Sequence, residues 1–207
     1  MGNQTSKINV TVEGNIGAGK STFLKVLKQH GFNILQEPLS EWIVQNPDGT
    51  TTNVLKEFYK DPEKNAYVFQ SFCLRSRCKI MKTMKPDQTY LLERGLHADG
   101  IFAATQYEEG RIRPLEYSVY LWELEEAKKD TPSIHKRIYI RTSPETCLRR
   151  VKERNREGEE NITLEYLNLL HTKHEEWLAT RDDGNILLLE GIDYLDEATH
   201  EQVVEKV

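Results

Sequence analysis

Residues 14–22 read Gly14-Asn15-Ile16-Gly17-Ala18-Gly19-Lys20-Ser21-Thr22. Glycines at the first and sixth places, followed by Lys-Ser, have the spacing of a loop that wraps phosphate. Glycine lets the backbone curl until successive N–H groups point inward at an anion. The apolar run before the loop, Ile8-Asn9-Val10-Thr11-Val12, predicts a buried strand. Residues 21–28 after it carry apolar side chains three and four apart and predict a helix, whose start adds partial positive charge. Lys20 is expected to reach the terminal phosphates and the Ser21 hydroxyl to hold Mg²⁺. Strand, loop and helix in this order specify binding of a nucleoside triphosphate. They leave open what receives the phosphate.

Outward from the loop, β-type runs recur at 8–12, 32–35, 89–92, 137–141 and 185–189, with helical patterns between them. Alternation of this kind predicts an α/β fold in one domain over 1–207: a five-stranded parallel sheet flanked by helices. In such sheets ligands sit beyond the carboxyl ends of the strands. The residues expected there are the phosphate loop, Glu37-Pro38, Glu93-Arg94, Thr142-Ser143 and Glu190-Gly191. Three of these five segments carry a carboxylate, as phosphoryl transfer with a metal requires.

Glu37 is a candidate proton acceptor for an attacking hydroxyl, or a metal ligand through water. Leu91-Leu92-Glu93 has the pattern of a strand ending in a metal-binding carboxylate. Arg94 sets a fixed cation beside the same phosphates, and on opposite faces of a strand the two side chains take separate roles. Arg150 and Arg154 lie one helical turn apart, with Arg156 beyond. An Arg-rich segment over about 150–161, broken by Gly158, is expected to act as a lid that closes on the triphosphate. Trp42, Tyr59, Phe69, Gln70, Arg77, Asp99 and Phe102 combine aromatic faces with a few polar groups, which suits a nucleobase. The Gln70 amide is donor and acceptor in one plane.

Composition bounds the partners. The 207 residues carry a formal charge of −5, which argues against a general nucleic-acid binder. Mean hydropathy is −0.64, and no stretch is long and apolar enough to span a bilayer. Cys73, Cys78 and Cys147 are odd in number and lack metal-ligand spacing, so reduced thiols in a cytoplasmic setting are expected. The start Met1-Gly2-Asn3-Gln4-Thr5-Ser6 fits the loose pattern for N-myristoylation at Gly2. No polybasic cluster follows, so a disordered polar lead over 1–7 without stable membrane association is the expectation. A signal peptide is not expected, for want of an apolar core segment.

The ordered set of motifs resembles the deoxyribonucleoside kinase family, nearest its deoxycytidine and deoxyguanosine kinase branch. It runs through Val12-Glu13 and the phosphate loop, Glu37-Pro38-Leu39-Ser40-Glu41-Trp42, Phe69-Gln70-Ser71-Phe72, Glu93-Arg94, Ile101-Phe102-Ala103, Arg154-Asn155-Arg156 and Leu164-Glu165-Tyr166-Leu167. The resemblance implies that Glu37 is the base for a 5′-hydroxyl, steadied by Arg94. Glu93 belongs to the Mg²⁺ shell, and Gln70 reads the base between Trp42, Phe69 and Phe102. Tyr59 and Glu159 hold the 3′-hydroxyl, while Arg150, Arg154 and Arg156 are lid arginines. Residues 190–194, including Glu190, Ile192 and Asp193, receive the base of ATP or another triphosphate donor. The family is usually dimeric through long helices.

Two departures stand out. Gly95 replaces the family's usual Ser after Glu-Arg, and the segment 95–102 is one residue shorter. If the gap falls after Asp99, Arg77 and Asp99 resemble the charged pair used for cytosine or purines. If it falls earlier, Ala98 takes that place and Asp99 drops out. Two other functions share parts of this pattern. A nucleoside monophosphate kinase shares loop, sheet and lid, but its anionic acceptor would meet Glu37. A GTPase-type switch should show N-K-x-D after a strand, and neither Arg141-Thr142-Ser143-Pro144 nor Glu190-Gly191-Ile192-Asp193 fits.

Overall fold

A computed structural model describes residues 8–180 and 184–190. The lead with Gly2, and Ile192 and Asp193 of the expected donor loop, lie outside the described residues. In chain order the strands are β1 Asn9–Glu13, β2 Asn33–Leu35, β3 Ile43–Gln45, β4 Thr51–Asn53, β5 Tyr90–Glu93, β6 Lys136–Arg141 and β7 Ile186–Glu190. The α-helices are α1 Lys20–Gln29, α2 Val54–Lys60, α3 Pro62–Met81, α4 Leu96–Glu108, α5 Pro114–Asp130, α6 Pro144–Arg154 and α7 Leu164–Ala179.

Five strands form the parallel sheet in the order β2-β5-β1-β6-β7. Each expected strand is present within about one residue. Glu93 and Glu190 are the last residues of their strands and do not follow them.

Both faces of the sheet are covered, which explains the near-continuous apolar runs. Val10, Val12, Leu91, Ile138 and Ile140 pack on Phe23, Leu24 and Leu27 of α1, Val151 of α6 and Leu167 and Leu170 of α7. On the other face, Tyr90 and Leu92 meet Leu74 and Met81 of α3, Ala103 of α4 and Tyr120 and Leu124 of α5.

The antiparallel hairpin β3–β4 was not foreseen from the sequence. Its strands are three residues each, too short to show alternation. With α2 it brings Trp42, Val54, Leu55 and Phe58 against Phe69 and Cys73 of α3, a third cluster.

β1 is the middle strand; the chain runs from it to β2 and β5 on one side, then crosses to β6 and β7 on the other. The crevice beyond its carboxyl end is therefore where a ligand fits. The phosphate loop fills that turn, with Gly14, Gly17 and Gly19 all at positive φ.

Candidate active site

A cavity of about 640 Å³ opens beyond the carboxyl ends of the strands. Its floor is the loop: Ile16, Gly17, Gly19, Lys20, Ser21 and Thr22. Its far wall holds Trp42, Tyr59, Phe69, Gln70, Arg77, Asp99 and Phe102, and the lid side holds Arg150, Arg154, Arg156 and Glu159.

Gly14, Asn15 and Ala18 of the loop stand behind the lining. The Asn15 amide donates to Leu167 O at 2.8 Å and its oxygen accepts Ile16 N–H, so that side chain ties the loop to α7. Ala18 O accepts from Thr142 Oγ1 and from Arg150 Nη1, each at 3.2 Å. Lys20 Nζ folds back on Gly14 O (3.1 Å) and Asn15 O (2.7 Å). Burial, with Arg94 adding to it, lowers the Lys20 pKa to about 7, against the opposing pull of Glu93 and Glu37. Ser21 Oγ donates to Glu93 Oε1 at 2.6 Å.

Between floor and far wall runs a buried chain of charges. Arg94 Nη1 donates to both oxygens of Glu37 at 2.9 Å. Arg77 Nη2 donates to Glu37 Oε1 at 3.0 Å. Arg77 also grips Asp99 through Nε (2.7 Å) and Nη2 (3.1 Å), and its Nη1 reaches Glu93 O at 2.8 Å. Asp99 therefore meets Arg77, as the alignment with the gap after Asp99 requires. Two arginines balance two carboxylates, which lets all four stay buried. Burial would raise the Glu37 pKa. Arg94, then Arg77 and Lys20, outweigh it and hold that pKa at about 2.

Aromatic rings shape the far wall. Phe58 and Phe69 stack with centroids 4.6 Å apart, and Trp42 meets Phe69 edge-on. The Arg94 guanidinium lies over the Phe102 ring at 4.9 Å. Gln70 is buried and its Nε2 has no hydrogen-bond partner, an orphan donor beside the cavity. Glu159 accepts from Arg154 Nε at 2.8 Å and from Arg156 Nη1 at 3.1 Å, so these two arginines rest on a carboxylate that itself lines the cavity.

Phe58, Cys73 and Tyr166 also line the cavity and were not singled out from sequence. Phe58 stands beside Tyr59, and Tyr166 in an amphipathic helix, where each reads as core. Arg77 holding Glu37 was equally hidden, because the two are 40 residues apart in the chain. Glu190 ends β7 paired with Arg141 and does not line the cavity.

Residues 10–207 match the family described as deoxynucleoside kinase. A fowlpox virus protein described as a probable deoxycytidine kinase is 34% identical, covering 94% of this chain and 84% of its own length. Mouse deoxycytidine kinase is 34% identical over 96% of this chain and 88% of its own. A thymidine kinase of ictalurid herpesvirus 1 is 31% identical over 95% and 82%.

Proposed function

The chain belongs to the deoxynucleoside kinase family and transfers a phosphoryl group from a nucleoside triphosphate to a deoxyribonucleoside; we propose how its residues do so. The 5′-hydroxyl of the acceptor meets Glu37, and the γ-phosphate of ATP lies between Lys20 and Arg94. Glu37 orients the hydroxyl for in-line attack and takes its proton late, once the new O–P bond acidifies it. A carboxylate held near 2 is a weak base, and it suffices because the transferred group is loosely bonded in the transition state. Lys20, Arg94 and the lid arginines Arg150, Arg154 and Arg156 stabilise the charge on the phosphates. Tyr59 and Glu159 hold the sugar 3′-hydroxyl.

One observation carries this reading: Arg77 and Arg94 are already paired with Glu37 and Asp99. Among the described residues that end of the cavity has no surplus cation for an acceptor carrying phosphate, which favours a neutral alcohol over a monophosphate. The orphan Gln70 Nε2–H donor suits a base whose ring nitrogen accepts, and the Asp99 carboxylate suits an exocyclic amino group that donates. Cytosine offers that donor, whereas thymine would turn a carbonyl oxygen toward Asp99. We therefore favour deoxycytidine. Stacking is supplied by Phe69, Trp42 and Phe102.

Ser21 and Glu93 present a hydroxyl and a carboxylate in contact, hard oxygen donors of the kind Mg²⁺ takes together with water and phosphate. Among the described residues no group of three or more His, Cys, Asp or Glu could hold a metal by itself, consistent with an ion shared with nucleotide. When bound, Mg²⁺ screens the phosphate charge; Ser21 and Glu93 would hold it. We also propose a cytoplasmic homodimer. The three cysteines are free, no described helix is long and apolar enough to cross a membrane, and α5 presents an exposed apolar stripe.

The test is a phosphorylation panel with ATP: four deoxyribonucleosides, two ribonucleosides and deoxycytidine monophosphate. Deoxycytidine should lead, with thymidine at least ~10-fold lower in kcat/KM, the discrimination one misplaced polar group gives. Preference for the monophosphate would overturn the acceptor assignment. Equal use of thymidine would overturn the role of Asp99.

A further inference from the structure

Arg94 sits at φ 62, in the left-handed region that residues with a side chain seldom occupy. The two peptide N–H groups around it are both taken by β1. Arg94 N–H donates to Val12 O at 3.0 Å, and Gly95 N–H donates to Glu13 Oε1 at 3.0 Å. Glu13 is the last residue of β1 and only 2% exposed. Its second oxygen has no hydrogen-bond partner.

A carboxyl group at a core position is costly, and an apolar side chain would fill the same space without that cost. Burial pushes the Glu13 pKa up, offset in part by the neighbouring Thr11 hydroxyl, then by the charges of Arg77 and Arg94 and the Gly95 N–H. Nothing in the packing of β1 asks for an acid here. What the acid supplies is an acceptor for the N–H that follows Arg94.

The fit around this contact is close. A Cβ at Gly95 would lie 2.8 Å from Thr11 Cγ2 and 3.3 Å from Glu13 Oε1. Gly95 itself has φ −119, which any residue adopts, so the glycine is demanded by space and not by torsion. Thr11, Glu13 and Gly95 also border a second cavity of about 210 Å³, separate from the lining of the larger one.

We infer that Glu13 is a positioning residue for Arg94: its acceptor oxygen locks the turn that aims the guanidinium at the transferred phosphoryl group, and Thr11 fixes how closely that turn approaches β1. This inference rests on the reading of Arg94 as a phosphoryl-stabilising group. Arg94 touches Glu37 directly, whereas Glu13 acts only through the backbone.

The experiment compares Glu13→Gln, Glu13→Met, Arg94→Ala and the double variant Glu13→Met/Arg94→Ala in the full chain, with kcat, KM for ATP and Tm measured for each. Met keeps the bulk and removes the acceptor; Gln keeps an acceptor oxygen. Glu13→Met should lower kcat about 10- to 100-fold, as expected for an ångström-scale misplacement, with little change in KM for ATP. Glu13→Gln should recover most of that loss. In the double variant Glu13→Met should add almost nothing to the Arg94→Ala defect, because the group it positions is gone.

If Arg94→Ala turns over normally, the reading of Arg94 fails. If Arg94→Ala is crippled and Glu13→Met is normal, or the two losses multiply, only the present inference fails. Equal damage from Gln and Met would also overturn it, since charge and not the acceptor would then matter. Should Glu13→Met not fold, Gly95→Ala carries the test. It should lower kcat, and adding Thr11→Ser, which removes the γ-methyl, should restore it at least in part. Normal turnover by Gly95→Ala, or no recovery in the double variant, overturns the inference.

Discussion

Glu37 and Lys20 both have their pKa pushed down, which keeps the carboxylate charged and favours the neutral amine. Glu37, held at about 2 by Arg94 and Arg77 against burial, stays a carboxylate throughout the physiological range. Glu37→Gln preserves the shape and removes the charge. Turnover should fall ~100- to 10,000-fold, the range of a lost general base, while ATP binding measured by calorimetry stays within a few fold. Near-normal turnover would refute the assignment. Lys20 behaves differently. With its pKa lowered to about 7 by burial, it is mostly neutral at pH 8 in the free enzyme. Bound phosphates favour the ammonium, so nucleotide binding at pH 8 must take up close to one proton, and at pH 6 almost none. The sign follows: affinity for ATP weakens as pH rises above about 7, by up to about tenfold per unit until the pKa of the complex is reached. Calorimetry at pH 8 in two buffers of different ionisation enthalpy measures the uptake. Lys20→Met should abolish it; uptake unchanged in that variant would show that another group titrates.

At the scale of elements, residues 150–161, the proposed lid, are fixed to α2 in two ways of unequal strength. Lys56 of α2 pairs with Glu157, but both side chains are exposed, and water and salt screen such pairs until they contribute little. Gly158 is the firmer contact. It sits at φ +92, and a Cβ there would come within 3.1 Å of Lys56 Cα. Gly158→Ala therefore meets both torsional and steric cost, of order 1–3 kcal/mol. It should lower kcat/KM for ATP by roughly 10-fold or more, whereas Lys56→Ala should change it by less than about 3-fold. Steady-state kinetics on the two variants decides the order, and a larger effect from Lys56→Ala would locate the clasp in the ion pair instead. Elements were also the level at which the sequence spoke best. β1, β5 and β6 are buried on both faces, so their composition alone announces them, and the loop at 14–21 announces the ligand. The hairpin β3–β4 was silent because three-residue strands carry no period. The Arg77–Glu37–Arg94 chain was silent for another reason: α3, β5 and the segment after β2 converge only in three dimensions. Asp99 shows the boundary well, since chain length near it left two alignments open and its contact with Arg77 appears only in three dimensions.

For the molecule as a whole, the open question is what covers α5. Leu115 is 76% exposed and Trp122 65%, with Val119 between them on the same stripe at four- and three-residue spacing. α3 lies alongside in parallel register, set by the pairs Arg75–Glu123 and Lys82–Asp130. That register brings Val68, itself 57% exposed, level with the start of α5. A tryptophan so exposed beside aliphatic neighbours is unusual on a monomer and typical of an interface core. A two-fold pairing of this face would set α3 and α5 against their copies as a four-helix contact, and a stable dimer needs ~1,600 Å² in total. Light scattering should accordingly return twice the 24.1 kDa chain mass. Trp122→Glu places a charge at the centre of that contact and should yield the single chain, because an unpaired charge buried between subunits costs several kcal/mol. The same change at Lys129, exposed at the end of α5 and paired with Glu126, should leave the mass doubled. α3 also carries Gln70 and Arg77 on its inner side, so loss of the dimer is expected to raise KM for the nucleoside more than KM for ATP. A wild-type chain that scatters as a monomer at micromolar concentration would reject this pairing and leave α5 as a surface for some other partner.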